Sequence, residues 1–355
     1  MRMIPRIYES TTTSMDGLGI APLPDAVTCV VTEERNGEFY CELTYPAFGQ
    51  NASQIQVGRI ISAKPNLYDD PQAFRIQKIE KTLDGTMSIT AYHISYDLTN
   101  IAISPFAQAA GIQTALTNLT NAAATANTFA LDTDIVNTAS QYGQLLPNNM
   151  RGAMLGQEGS LLDVFGGEWK FNNWECTLMK SRGQERNVLV AYGKNLSSFK
   201  ETDTEGNYDA IYPYAVIDDV TYYLTDTGVC ATAPLVESTT SYGYPRTVLV
   251  DLSDKFENAP TQAQLYAAAL SWMNSNSPSP TASYSTEFLD LQKLIGVAER
   301  VDLCDTIYLT VLPYGIINMT LKVIKTVYDV LEDEYVSLEV GDKKVTLADQ
   351  LAPIL

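Results

Sequence analysis

The chain has 355 residues, of which 45% are hydrophobic, 10% aromatic and 18% charged, so it folds around a real core and has room for two or three domains. Its 23 basic and 42 acidic residues leave a net charge of −19. That balance argues against a nucleic-acid surface built on clustered Lys and Arg, and equally against docking on anionic lipid.

The first eight residues, Met1-Arg2-Met3-Ile4-Pro5-Arg6-Ile7-Tyr8, hold no apolar h-region, so no signal peptide is expected, and no apolar run reaches the length of a membrane helix. The five cysteines (Cys29, Cys41, Cys176, Cys230 and Cys304) form no CxxC pair. An odd, scattered set points to buried thiols in a reducing compartment. Cys29 and Cys41 could face each other across a hairpin, though their spacing does not demand it.

In chain order, β-rich runs at 26–32 and 40–45 flank Asn36-Gly37, a strong hairpin signal. A second hairpin is predicted from Phe74–Ile79 through Asp84-Gly85 to Met87–Tyr92. Ser104-Pro105 reads as a helix cap and first helical residue, and Ile112, Ala115, Leu116 and Leu119 follow at helical spacing. Ser160–Asp163 opens a short helix with a capping-box-like pattern, stopped at Gly166-Gly167. Strands are expected near 169–171, 176–179 and 188–191. Tyr212, Tyr214, Val216 and Val220, Tyr222, Leu224 alternate in a later β-region. Thr261 and Gln264 cap a helix over 261–273 whose face carries Leu265, Ala268, Ala269 and Trp272. Asn274–Ser283 reads as an exposed loop.

Two stretches read as the same piece of β-structure. At an offset of 247 residues, Gly58-Arg59-Ile60-Ile61 aligns with Asp305-Thr306-Ile307-Tyr308, and Phe74–Lys78 with Leu321–Lys325. After a turn two residues longer, Met87–Ala91 aligns with Val336–Val340 at offset 249. Both copies alternate at period two, as half-buried strands do. Such a repeat suits a scaffold or a ring-former. The expected fold class is α+β, mainly β. Its domains are a first β-barrel at 1–100, an α+β insert at 101–198, a second β-barrel from 199–256 and 286–355, and a helical insertion at 257–285.

The residues of catalysis are sparse. His93 is the one histidine, which excludes HExxH and any site with two His ligands. It sits on a predicted strand, and no GxSxG elbow, Walker A or dinucleotide fingerprint accompanies it. Its ordinary reading is structural. The acidic clusters Asp69-Asp70, Asp218-Asp219 and Glu332-Asp333-Glu334 read as solvated turns. Asp203, Glu205, Asn207 and Asp209 around Gly206 echo a calcium loop but lack its closing Glu. No carboxylate pair is marked out for glycoside hydrolysis. The 21 tyrosines suit protein interfaces better than carbohydrate stacking. No catalytic, cofactor-binding or metal residue is assigned, and no cofactor is expected.

Leu155-Gly156-Gln157-Glu158-Gly159-Ser160-Leu161-Leu162-Asp163-Val164-Phe165-Gly166-Gly167-Glu168-Trp169 resembles the tail-associated structural proteins of long-tailed phages and prophages, often labelled minor structural or prophage endopeptidase tail proteins. The likeness continues in Ser181–Val188, Tyr192–Leu196, Ile211–Tyr214, Ala91–Leu98 and Asn36–Leu43, and so spans nearly the whole chain. The resemblance implies a tail-tip or baseplate hub. In that arrangement two β-barrels per chain assemble as a homotrimer whose ring continues or closes the tail tube, with the other domains decorating it. Implied partners are a distal tail protein and the tube or tape-measure proteins, with no stable nucleic-acid binding and no membrane insertion. The implied location is the virion tail tip, after assembly in the bacterial host cytoplasm. Larger members add a C-terminal peptidase, lysozyme-like or fibre region. This chain ends at Leu355, so the endopeptidase label is not carried over and no enzyme is expected. The alternatives are a tail-associated cell-wall hydrolase and a carbohydrate-binding receptor module. One departure is Cys304-Asp305, where similar proteins have Gly-Asp.

Overall fold

Alternation decides the first strands. Cys29, Val31 and Glu33 on β2 (Thr28–Glu34) and Phe39, Cys41, Leu43 and Tyr45 on β3 (Phe39–Pro46) all point inward. Asn36 turns the chain between them at φ 54°, as the Asn-Gly signal predicts. The computed structural model describes residues 3–156, 159–192, 196–204, 208–239, 243–256, 258–275, 281–288 and 300–341. Contacts divide the chain into two units, Met1–Phe199 with Ser285–Val340 and Lys200–Tyr284 with Gly341–Leu355. The segments expected to form the second barrel, 199–256 and 286–355, therefore fall largely in different units.

In the first unit, β1 (Arg6–Tyr8), β4 (Ile60–Ala63), β5 (Gln72–Lys81) and β6 (Thr86–His93) join β2 and β3 in the order β2-β3-β6-β5-β4-β1. Asp84 holds the β5–β6 turn by accepting from the Thr86 amide at 3.0 Å. The insert departs from expectation at its start. Ser104-Pro105 opens no helix; Phe106–Ala110 is a strand paired with Gln141–Gln144. Gly111, at φ 90°, breaks the chain before α1 (Ile112–Asn121), which buries Ile112, Ala115, Leu116 and Leu119. α2 (Met150–Met154) and α3 (Leu161–Phe165) follow. In α3 the Asp163 amide donates to Ser160 Oγ and Gly166 ends the helix at φ 67°. A hairpin of β7 (Glu168–Asn172) and β8 (Glu175–Met179) leads to β9 (Glu185–Ala191) and β10 (Leu196–Thr204).

In the second unit, β11 (Ala210–Ile217) pairs antiparallel with β12 (Val220–Tyr223) and parallel with β13 (Thr247–Asp251). Ile211 and Ala215 face its core, while Tyr212 and Tyr214 are only half-buried. α4 (Gln262–Ser275) carries the predicted reciprocal cap: the Gln264 amide donates to Thr261 Oγ1 and the Thr261 amide to Gln264 Oε1. Leu265 and Ala269 are buried, with Ala268 and Trp272 packed alongside. Of the loop expected at 274–283, Ser275 still belongs to α4 and Thr281 already opens β14 (Thr281–Phe288); residues 276–280 lie outside the described residues.

The second copy of the repeat is β15 (Thr306–Val311), β16 (Ile316–Asp329) and β17 (Glu334–Gly341). Strand order here is β10-β14-β17-β16, with β15 beside β16 and β9 parallel to β15. The first copy reads β2-β3-β6-β5-β4, so the two modules share one strand order. The hydrogen bonds repeat too, with one correction of alignment. Gly58 N donates to Ile76 O and Ile76 N to Arg59 O; Cys304 N donates to Val323 O and Val323 N to Asp305 O. Gly58 thus corresponds to Cys304, an offset of 246 and not 247, and both take positive φ, 88° and 69°. Strand pairing is mainly β and runs as an open path; among the described residues it closes no barrel, where two barrels were expected.

Candidate functional site

The two modules meet along one strand. β16 is long enough for two partners on the same edge: Ile316–Lys322 pairs with β15, and Lys325–Asp329 pairs with Glu34–Val30 of β2. Arg35 N donates to Ile324 O at the junction, at 2.8 Å. This seam makes one sheet of two modules.

A buried ionic cluster backs the seam. Glu33 on β2 points inward and pairs with Arg182, Nη1 to Oε1 at 2.5 Å, and both side chains are under 10% exposed. Burial alone would lower the Arg182 pKa; the adjacent Glu33 carboxylate outweighs it and holds the guanidinium above its ordinary value. Glu168 on β7 accepts from Lys322 Nζ and from the Arg182 amide, with Arg35 at 3.7 Å. Its burial works against ionisation, but these donors prevail and its pKa is lowered. Asp305 takes the Gln184 amide at 2.7 Å and Arg186 Nε at 3.0 Å. Gly183 lies so close above the Cys304 carbonyl that a Cβ there would sit 1.9 Å from the oxygen. Burial pushes Asp302 up to about 6 and the Cys304 thiol up to about 12. The β2–β3 turn is tied to β7: Asn36 Nδ2 donates to Gly167 O at 3.0 Å, and the Trp169 amide donates to Asn36 Oδ1 at 2.8 Å.

The sequence reading missed this cluster. A signal for it exists: Glu33 shares the parity of Cys29 and Val31, and a carboxylate on the apolar face of a strand demands a buried partner.

His93 is fully buried and stacks on Phe39, with ring centroids 4.3 Å apart. Its Nδ1 accepts from the Ser95 amide at 3.2 Å and lies 3.0 Å from Ser95 Oγ, capping the short 3-10 helix Ile94–Asn100. Nε2 lies 3.3 Å from Gln72 Oε1. Burial first, then the charges of Arg151 and Arg182, hold His93 well below its ordinary pKa. Ser95 is equally buried and bonded to Arg151. A Ser–His contact sealed in the core holds the helix start and offers a substrate no access.

The other singled-out residues lie apart. Asp333 sits in the β16–β17 turn, accepts from the Tyr328 hydroxyl and stands 3.6 Å from Lys64. Asp218 and Asp219 form the β11–β12 turn at φ 51° and 61°. Asn66 Nδ2 donates to Asp69 at 2.9 Å. Of the faint calcium pattern, 205–207 lie outside the described residues, and among the described residues no group of three His, Cys, Asp or Glu could hold a metal. Cys29 and Cys41 approach to 3.7 Å between sulfurs as free, buried thiols. A cleft of about 320 Å³ beside β7 is lined by Asp134, Ile135, Val136, Asn137, Phe165, Gly167 and Lys180, with no tyrosine to stack a sugar. Among the described residues no helix is long and apolar enough to cross a membrane.

Residues 184–351 match the family model described as prophage endopeptidase tail. No curated protein matches the chain in sequence. Among solved structures, the fold is similar to prophage tail protein gp18 from Listeria monocytogenes EGD-e, with a TM-score of 0.61, 12% identity and 99% and 98% of the two chains covered. It is also similar to the 43 kDa tail protein of prophage MuSo2 from Shewanella oneidensis (TM-score 0.60, 10% identity, 96% of this chain and 98% of that one). A tail protein from Neisseria meningitidis MC58 matches with a TM-score of 0.56 at 8% identity, covering 98% of each chain. The resemblance to phage tail-associated proteins, read from the sequence, is borne out.

Proposed function

We propose that this chain is a structural protein of a phage tail tip, a trimeric hub that continues or closes the tail tube and connects to distal tail proteins. The observation that carries this reading is the seam: two β-modules of one strand order, joined edge to edge within one chain. Three such chains supply six modules, and a threefold protein can then meet a sixfold tube one module to one subunit. The fold shared with prophage tail proteins over nearly the whole chain supports the location. The proposed partners are two more copies of the chain, a distal tail protein, and tube or tape-measure proteins. The net charge of −19 suits a ring through which DNA slides without sticking.

Imaging and light scattering of the purified chain test the reading. The expected result is a threefold ring near three times 39.0 kDa; a stable dimer on a twofold interface overturns it. The hydrolase alternative is checked by a zymogram on host cell walls, with His93→Gln as control. Because His93 is sealed in the core, that variant should assemble normally; a hydrolytic activity abolished by it would make the enzyme reading correct.

A further inference from the structure

The same strand edge occurs twice in this chain, once covered and once bare. In the second module the outer half of β16 is covered by β2 of the first. Arg35 N donates to Ile324 O, Val330 N donates to Cys29 O, and Thr326 and Tyr328 between them stand opposite Glu33 and Val31. The hydrogen bonds that match Val323 to Ile76 set the offset at 247, so these four positions of β16 and its turn fall on Gln77, Ile79, Lys81 and Leu83. β5 pairs with β4 only as far as Arg75, and Ile76 closes that ladder through Gly58 and Arg59. Thr82 N donates to Thr86 O, which turns Thr82 towards β6, and backbone groups alternate sides along an antiparallel strand. Lys81 and Ile79 therefore turn their N–H and C=O groups to the other side, where no backbone partner meets them among the described residues. Side chains follow the same contrast. Tyr328 and Val330 are fully buried and Leu331 nearly so, whereas Lys81 is exposed and Leu83 protrudes fully. Ala47 N donates to Gly85 O beside that turn, which brings the almost fully exposed Phe48 to the same end of the module.

We propose that Ile79–Leu83 receives a β-strand from a second copy of this chain, added antiparallel as β2 is added to β16. This rests on the hub reading and names one of its subunit contacts. The internal seam shows the equivalent edge completed by a strand of this same chain, which makes a further copy the natural occupant. In strand addition the backbone supplies the bonding and the side chains choose the partner. Two lysines to one glutamate in residues 78–82 make the edge basic, and a chain of net charge −19 supplies an acidic partner. The same lysines deter indiscriminate strand addition. Val330 and Leu331 enter the core of the first module at the internal seam; Leu83 and Phe48 are placed to make the matching apolar contact, and large apolar side chains grouped at an open edge mark a surface that is covered. The edge does not suit itself. Antiparallel self-pairing with Ile79 opposite Lys81 would set Glu80 against Glu80, so the strand comes from another part of the second copy. A contact between unlike surfaces of identical chains is head-to-tail, and such contacts close into rings when the rotation allows.

Hydrogen exchange and light scattering of the full chain test the contact. In the associated chain the amides of Ile79 and Lys81 should be protected, and dilution to single chains should release them. Lys81→Pro removes a donor that faces the open side, where an edge strand tolerates proline. It should keep the parent's melting temperature and shift the oligomer to single chains. Glu80→Pro, whose amide faces Ser88 of β6, should lower the melting temperature instead. Leu83→Asp alters only an exposed side chain and is a second route to lost association with the fold intact. An oligomer in which the amides of 79–83 exchange freely, and which neither Lys81→Pro nor Leu83→Asp weakens, overturns this contact and leaves the hub reading standing. A stable twofold dimer with that edge protected keeps the contact and overturns the hub reading. A chain that stays monomeric at the highest attainable concentration overturns both.

Discussion

Gly58-Arg59 and Cys304-Asp305 enter their strands with the same hydrogen bonds and opposite surroundings. A Cβ added at Gly58 would meet nothing within 4 Å. Cys304 is 1% exposed, roofed by Gly183 and braced by Asp305 with its Gln184 and Arg186 donors. The ladder dictates positive φ at both places. Where the entry is open, glycine meets that demand without strain. Where it is buried, a cysteine is held in the left-handed region by the packing around it. Backbone geometry is thus the repeated feature, and the side chains have diverged to suit one free module end and one seam.

The largest way to break this comparison is at the buried Glu33–Arg182 pair of the seam, next to the Gly183 that roofs the second entry. Glu33→Ala leaves Arg182 buried and unpaired, and should cost about 3–5 kcal/mol by chemical denaturation. A loss no larger than that of an exposed ion pair would show that the cluster does not hold the seam. Next comes Gly183→Ala, whose Cβ would collide with the Cys304 backbone. A shift of main chain should cost up to about 3 kcal/mol; the same change at Gly85, where the space around a Cβ is open, meets no such collision.

Smaller effects sharpen the comparison. Gly58→Ala tests the conformational demand alone, because the site has room, and should cost about 1–2 kcal/mol in melting experiments. Cys304→Gly relieves the same strain but empties a buried site, so a change near zero is expected. A neutral Gly58→Ala would mean that the entry geometry is not required. Asp302 gives the smallest effect and a pH signature. Its folded pKa is raised from 3.8 to about 6, so the folded state holds the proton more tightly and the burial penalty grows as pH rises between those values. Asp302→Asn should therefore flatten this fall in stability and be the more stable form at neutral pH, with little difference below pH 3.8. An unchanged pH profile would place Asp302 in contact with water.

Local pattern made much of this legible in advance. The Asn36-Gly37 and Asp84-Gly85 hairpins, the Thr261–Gln264 cap and the buried stripe of α1 depend on neighbours within a few residues, and all are found. The repeat was visible because period-two alternation survives side-chain divergence, though its first strand was set one residue out. Hydropathy cannot see φ, and Cys304 in place of glycine concealed the true match to Gly58. Ser104-Pro105 misled for a different reason: a local helix start lost to pairing with Gln141–Gln144, about 35 residues away in sequence.

By itself, the sequence determined a mainly β chain with a repeated hairpin module, a single histidine, and a family likeness. Tertiary structure alone decided that β16 serves two partners, that Glu33 finds Arg182 some 149 residues away, and that the residues between β10 and β14 form a separate unit. The physical reason is range. Turns, caps and alternation are paid for locally, whereas a strand's edge partner and a buried charge's counter-ion are chosen among all segments that could reach them, and only the folded chain makes that choice.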